Sequence, residues 1–96
     1  MAAYVVLGSF TDQGIRGIKD TTRRAKALCD AAKAMGVAVK NIYWTLGGFD
    51  VVLILEAAKE EDVAALVLKV GSLGNLKSQT LRAFTEGEIN SLLNRI

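Results

Sequence analysis

Val37-Ala38-Val39-Lys40-Asn41-Ile42-Tyr43-Trp44-Thr45-Leu46-Gly47-Gly48-Phe49-Asp50-Val51-Val52-Leu53-Ile54-Leu55-Glu56-Ala57 reads as two β-strands joined by a tight turn. Val37 to Leu46 and Asp50 to Ala57 are rich in β-branched and aromatic residues, and Gly47-Gly48 supplies the positive-φ backbone that a hairpin turn needs. A turn centred there predicts Thr45 opposite Asp50, Tyr43 opposite Val52 and Asn41 opposite Ile54. Opposed residues share a face of a sheet, so Trp44 belongs to the other face. Val51 to Leu55 is wholly apolar, as a strand with neighbours on both sides should be, whereas the preceding strand carries Lys40 and Asn41 and suits an edge.

Upstream, Ala25, Leu28, Cys29, Ala32 and Met35 recur at helical spacing behind the capping residues Asp20 and Thr21, and Gly36 closes that helix. Tyr4 to Thr11 is a strand ending at Asp12-Gln13-Gly14, with a glycine-punctuated turn after it. Downstream, Glu60, Glu61 and Asp62 put acidic charge where a helix dipole favours it, and Val63, Leu66, Val67 and Val70 form the apolar stripe of a helix that Gly71 closes. Asn75 to Phe84 is a fourth strand, given edge character by Lys77, Ser78 and Gln79. Thr85 and Glu88 make a T-x-x-E capping box for a short third helix with Ile89, Leu92, Leu93 and Ile96 inward. The order βαββαβ plus a C-terminal helix predicts an α+β, ferredoxin-like sandwich, one domain over residues 1–96, with the first and third strands central in a four-stranded antiparallel sheet.

Right-handed crossovers put both long helices on one face of such a sheet and leave the other bare. If Val51, Leu53 and Leu55 face the helices, then Val52, Ile54, Val5, Leu7 and Val39 make the bare face apolar. An apolar patch of this kind marks an interface, so pairing of two copies sheet to sheet, as a homodimer or larger assembly, is expected. The alternative cover is the C-terminal helix folded across the same face.

Composition excludes several classes of function. A net charge of +2 over 96 residues gives no dense basic face for nucleic acid or a membrane surface. The densest basic stretch, Arg16 to Lys26, is diluted by Asp20 and carries no stacking aromatics, so it reads as a solvated face. There is no histidine, which removes Ser-His-Asp and Cys-His pairs and nearly every catalytic zinc site, and neither a metal nor a cofactor is expected. Cys29 is the single cysteine and lies on an apolar stripe with nothing to activate it, so it reads as an inert thiol. No apolar run approaches the ~20 residues of a membrane-spanning helix. Met1-Ala2-Ala3 leads into Tyr4 to Leu7 without a charged n-region, and a cytoplasmic location is expected.

Several stretches resemble the GYD family of small bacterial and archaeal proteins: Val6-Leu7-Gly8-Ser9-Phe10-Thr11-Asp12-Gln13-Gly14, Tyr43 to Asp50, and Gly71-Ser72-Leu73-Gly74-Asn75 with Thr80-Leu81-Arg82-Ala83-Phe84. The family's G-x-Y-D motif stands here as Gly47-Gly48-Phe49-Asp50, with phenylalanine in place of the usual tyrosine and its hydroxyl lost. The resemblance implies a ferredoxin-like, dimeric α/β-barrel type of fold and supplies no reaction or catalytic residue. A weaker likeness runs to the ligand-binding domain of the leucine-responsive regulators. Cofactor-free monooxygenases and stress-response barrel proteins share the architecture, which does not select among functions.

With Leu81 and Ala83 taken to face the helices, Arg82, Thr80 and Ser78 join Asp50, Thr45, Tyr43 and Asn41 on the open face, with Arg82 and Asp50 at the same sheet end. In that arrangement Arg82 could hold a substrate carboxylate while Thr45, Thr80 and Tyr43 orient the rest of a small molecule, or it could simply pair with Asp50. Asp50 could act as a general base only if desolvation raised its pKa. Trp44, on the helix side, reads as core. The resulting expectation is an oligomeric domain that binds a small, anionic molecule. A cofactor-free enzyme, monooxygenase-like or isomerase-like, is the alternative.

Overall fold

The structure, a computed structural model, describes residues 1–96. Strands β1 (Ala2–Phe10), β2 (Val37–Trp44), β3 (Val51–Ala57) and β4 (Leu76–Ala83) form one antiparallel sheet in the order β2-β3-β1-β4. The two apolar strands are central and the two polar ones are edges, as a ferredoxin-like fold requires. Helices α2 (Thr21–Ala34) and α3 (Glu60–Ser72) pack on one face. The core lies between them and the sheet, where Tyr4, Val6, Leu53 and Leu55 meet Ala32, Val63 and Leu66. Leu55 is 1% exposed, and burying a leucine to that extent contributes roughly 1.5–3 kcal/mol. No helix is long and apolar enough to cross a membrane.

Between β1 and α2 the chain is more ordered than a turn. Thr11 Oγ1 accepts from the Gly14 amide at 3.1 Å and opens a short helix, α1 (Asp12–Arg16), which a 3-10 turn at Ile18–Asp20 joins to α2. At the far end of α3 the helix continues through Gly71, and the left-handed residue that turns the chain is Gly74, at φ 83°. The hairpin turn uses Gly47 at φ 115°.

The β2–β3 register is the expected one at Asn41, Tyr43 and Thr45: Asn41 lies opposite Ile54, Tyr43 opposite Val52, and the Thr45 amide donates to the Asp50 carbonyl at 2.8 Å. A bulge at Lys40 then shifts the pairing, so Val39 stands opposite Leu55. Val39 therefore packs against the helix-side core and not on the open face, because one inserted residue reverses the facing of everything beyond it.

The facing of β4 is also reversed from the sequence expectation. Tyr4 and Val6 are core residues, and they lie opposite Arg82 and Thr80, while Val5 lies opposite Leu81. Arg82, Thr80 and Ser78 are thus on the helix side, and Leu81 and Ala83 on the open side. Leu76 sets this parity: opposite Phe10, it packs against the core at the start of the strand.

The last helix, α4 (Glu86–Leu93), follows the predicted capping box, with Thr85 Oγ1 accepting from the Glu88 amide at 3.2 Å and Glu88 Oε1 from the Thr85 amide at 2.9 Å. Its apolar residues do not point inward. Ile89, Leu92, Leu93 and Ile96 are all exposed, so α4 covers neither face of the sheet.

Candidate functional site

The six residues singled out from sequence divide into three places. Asp50 and Thr45 close the hairpin end of the sheet. Asp50 Oδ2 accepts from the Phe10 amide at 2.9 Å, its own amide donates to the Gly8 carbonyl at 2.8 Å, and the Thr45 hydroxyl donates to the Phe49 carbonyl at 2.6 Å. The Asp50 carboxylate is therefore spent on a backbone N–H, which tethers the hairpin to the end of β1. Tyr43 and Asn41 stand on the open face, exposed. Thr80 and Arg82 border a half-open cleft of about 390 Å³ on the other side, beside Tyr4 and α3.

Arg82 and Asp50 do not meet. Arg82 lies opposite Tyr4, whereas Asp50 touches Gly8 and Phe10, four and six residues further along β1, or roughly 13–20 Å at the rise of a strand. Arg82 serves the junction of β4 with α4. Its guanidinium lies 4.3 Å from the Phe84 ring centroid, pairs with Glu88 at 3.4 Å, and donates to the Ala83 carbonyl. The Glu88 carboxyl is held below its ordinary range, first by the Thr85 amide and then by Arg82.

The open face carries no cover. Val5, Leu7, Val52 and Ile54 are half-buried along its centre, and Leu81 and Tyr43 beside them are 47% and 54% exposed.

A different feature lies on the helix side, and the sequence reading did not anticipate it. A half-open cavity of about 270 Å³ sits between α2 and α3 at the hairpin end of the sheet, with Phe10, Leu28, Ile42, Trp44, Val70 and Leu76 among its walls. Trp44 lies on the helix side as expected but is a wall of this cavity, 44% exposed, with its indole N–H donating to Thr21 Oγ1 at 3.0 Å. Arg24 and Lys69 are the charged residues of the lining.

The end of the sheet beneath the cavity is fastened by the family-like stretches. Thr11 Oγ1 donates to the Gly74 carbonyl at 2.5 Å, and the Gln13 amide nitrogen donates to Leu73 O and Asn75 Oδ1, each at 3.0 Å. Gly14 is buried against the Asn75 carbonyl, which a Cβ at this position would overlap, so the close approach requires glycine. One signal could have located this site. In an antiparallel sheet the end of β1, the β2–β3 turn and the start of β4 fall at the same edge, which is where these stretches sit.

Comparison with known proteins agrees with this architecture. The sequence model of the GYD domain matches residues 4–93. A Thermus thermophilus protein named glutamine synthetase and cystathionine beta-lyase binding protein is 30% identical over 90 residues, covering 93% of this chain and 95% of the relative. A crystal structure of a protein from the same organism superposes with a TM-score of 0.56 at 22% identity, over 88% of this chain and 95% of that one, which establishes the fold.

Proposed function

The chain belongs to the GYD domain family, and from that premise we propose that it is an oligomeric binding domain whose partners are proteins: a second copy of itself and, held by that assembly, an enzyme. The observation that carries this reading is the uncovered apolar face of Val5, Leu7, Val52, Ile54 and Leu81, which no element of the chain shields. Leu81 strengthens it, since an edge strand that turns its leucine outward and its arginine toward the helices is shaped for burial on its outer side. Glu56 and Lys77 stand at opposite ends of that face, so a two-fold axis across the strands brings the acidic end of one copy over the basic end of the other.

The enzyme partner is taken from the relative, whose name states that it binds glutamine synthetase and cystathionine beta-lyase. A cytoplasmic location belongs to the same reading. A small anionic ligand is its finer form, and what supports that is the helix-side cavity, not the Arg82 cluster. The enzymatic alternative gains no residue set, with Asp50 committed to the Phe10 amide.

Sedimentation velocity tests the pairing. The wild-type protein is expected to run as a dimer or larger closed assembly at micromolar concentration, and Leu7→Lys/Ile54→Lys as a folded monomer. Co-sedimentation with purified glutamine synthetase and cystathionine beta-lyase tests the second partner, with the assembled form binding and the monomeric variant binding less. A wild-type protein that is monomeric throughout the micromolar range sinks the reading.

A further inference from the structure

We propose that the cavity between α2 and α3 is a binding site for a small amphipathic monocarboxylate, with an apolar body of about ten heavy atoms seated against Trp44 and Leu28 and its carboxylate at Arg24 and Lys69. At about 270 Å³ this half-open cleft lies just below the range of roughly 300–1,000 Å³ for small-molecule pockets, so it suits a small ligand.

The sequence keeps the space open. On α2, the half-buried lining residues include Ala25 and Ala31, where larger aliphatic side chains would fill the gap between the helices. Most of the lining is apolar, so an apolar ligand body displaces water from it favourably.

The charge at the rim supplies the other half of the ligand. Neither Arg24 nor Lys69 pairs with a carboxylate, since the ion pairs of the protein are Arg23 with Asp20 and Arg82 with Glu88. Arg24 Nη2 donates to the Gly14 carbonyl at 3.1 Å, with Nη1 over Gly17, so the guanidinium is held against α1 while the residue lines the cavity, and its other N–H groups have no partner in the chain. The bond from Trp44 to Thr21 orients the indole in the same way. Two cations without carboxylate partners, beside Thr21 and Asn75 on a mainly apolar lining, suit an anion with a hydrocarbon or aromatic tail.

This site is separate from the sheet face, so its failure leaves the protein-binding reading standing. Trp44 is the single tryptophan, and its fluorescence reports the cavity directly. Titration with octanoate is expected to give a saturable change, with octanol and octylamine binding at least tenfold more weakly. Arg24→Gln/Lys69→Gln, checked for folding by circular dichroism, should weaken octanoate at least tenfold and leave octanol unchanged. Lys69→Gln alone, at an exposed position, should weaken octanoate severalfold without risk to the fold. Ala25→Leu should abolish the response while raising the melting temperature, because it fills the void. No saturable change up to millimolar octanoate overturns the proposal, including the case in which a helix of a second copy fills the space. Equal binding of octanoate, octanol and octylamine overturns it too, since the pocket then reads no charge.

Discussion

Asp50 shows how a single side chain can be drawn away from chemistry by the backbone around it. Its carboxylate takes the Phe10 amide, and its own amide and carbonyl pair with Gly8 and Thr45, so one residue ties three strands together. A hydrogen bond to a charged group is worth about 1.5–3 kcal/mol, and Asp50→Ala is expected to lower stability by roughly that much in urea unfolding, with Asp50→Asn costing less because an acceptor remains. Arg82 is a separate structural residue at the other end of β1. The double variant Arg82→Ala/Asp50→Ala should therefore be additive within about 0.5 kcal/mol, and a larger coupling would contradict the β1–β4 register.

Among the elements, α4 has a well-formed start and nothing to pack against. Its capping box satisfies the first amides, yet its apolar residues are exposed. Loss of an N-cap threonine costs about 1 kcal/mol of helix stability. Thr85→Ala is expected to speed hydrogen exchange in residues 86–93 while leaving the global urea midpoint unchanged in the monomer. Acid should act on the same cap. The Glu88 carboxyl is lowered on folding, mainly by the Thr85 amide, so its contribution is present above the ordinary carboxylate pKa and is lost as the pH falls through the lowered value. NMR signals of α4 are expected to broaden over that acidic window before those of the sheet do, and Glu88→Gln should flatten the dependence.

For the whole molecule, shape and alternation lead to the same expectation. The radius of gyration is 14.4 Å, against about 12.5 Å for a compact domain of this length, because α4 stands off the body. Along β3, burial alternates residue by residue, with Leu55 inside and Ile54 on the open face. Leu55→Ala should cost about 2–5 kcal/mol at every protein concentration. The cost of Ile54→Ala should grow with concentration, because a side chain buried between copies stabilises through association. A cost of Ile54→Ala that does not change with concentration would place that residue outside any interface.

The strands, the two long helices, the capping box and the hairpin pairing of Thr45 with Asp50 were legible along the chain, because each rests on local propensity, a period of two or 3.6, or a short glycine-centred turn. The facing of Val39 and of Arg82 was not. A bulge at Lys40 and the anchoring of Leu76 against the core set those parities, and both arise from pairing between distant strands that leaves no mark on local hydrophobic order. The cavity escaped the linear reading for a related reason. Alanines at 25 and 31 look like ordinary helix formers until α3 is placed beside them, and a void is a property of the distance between elements, which packing alone sets.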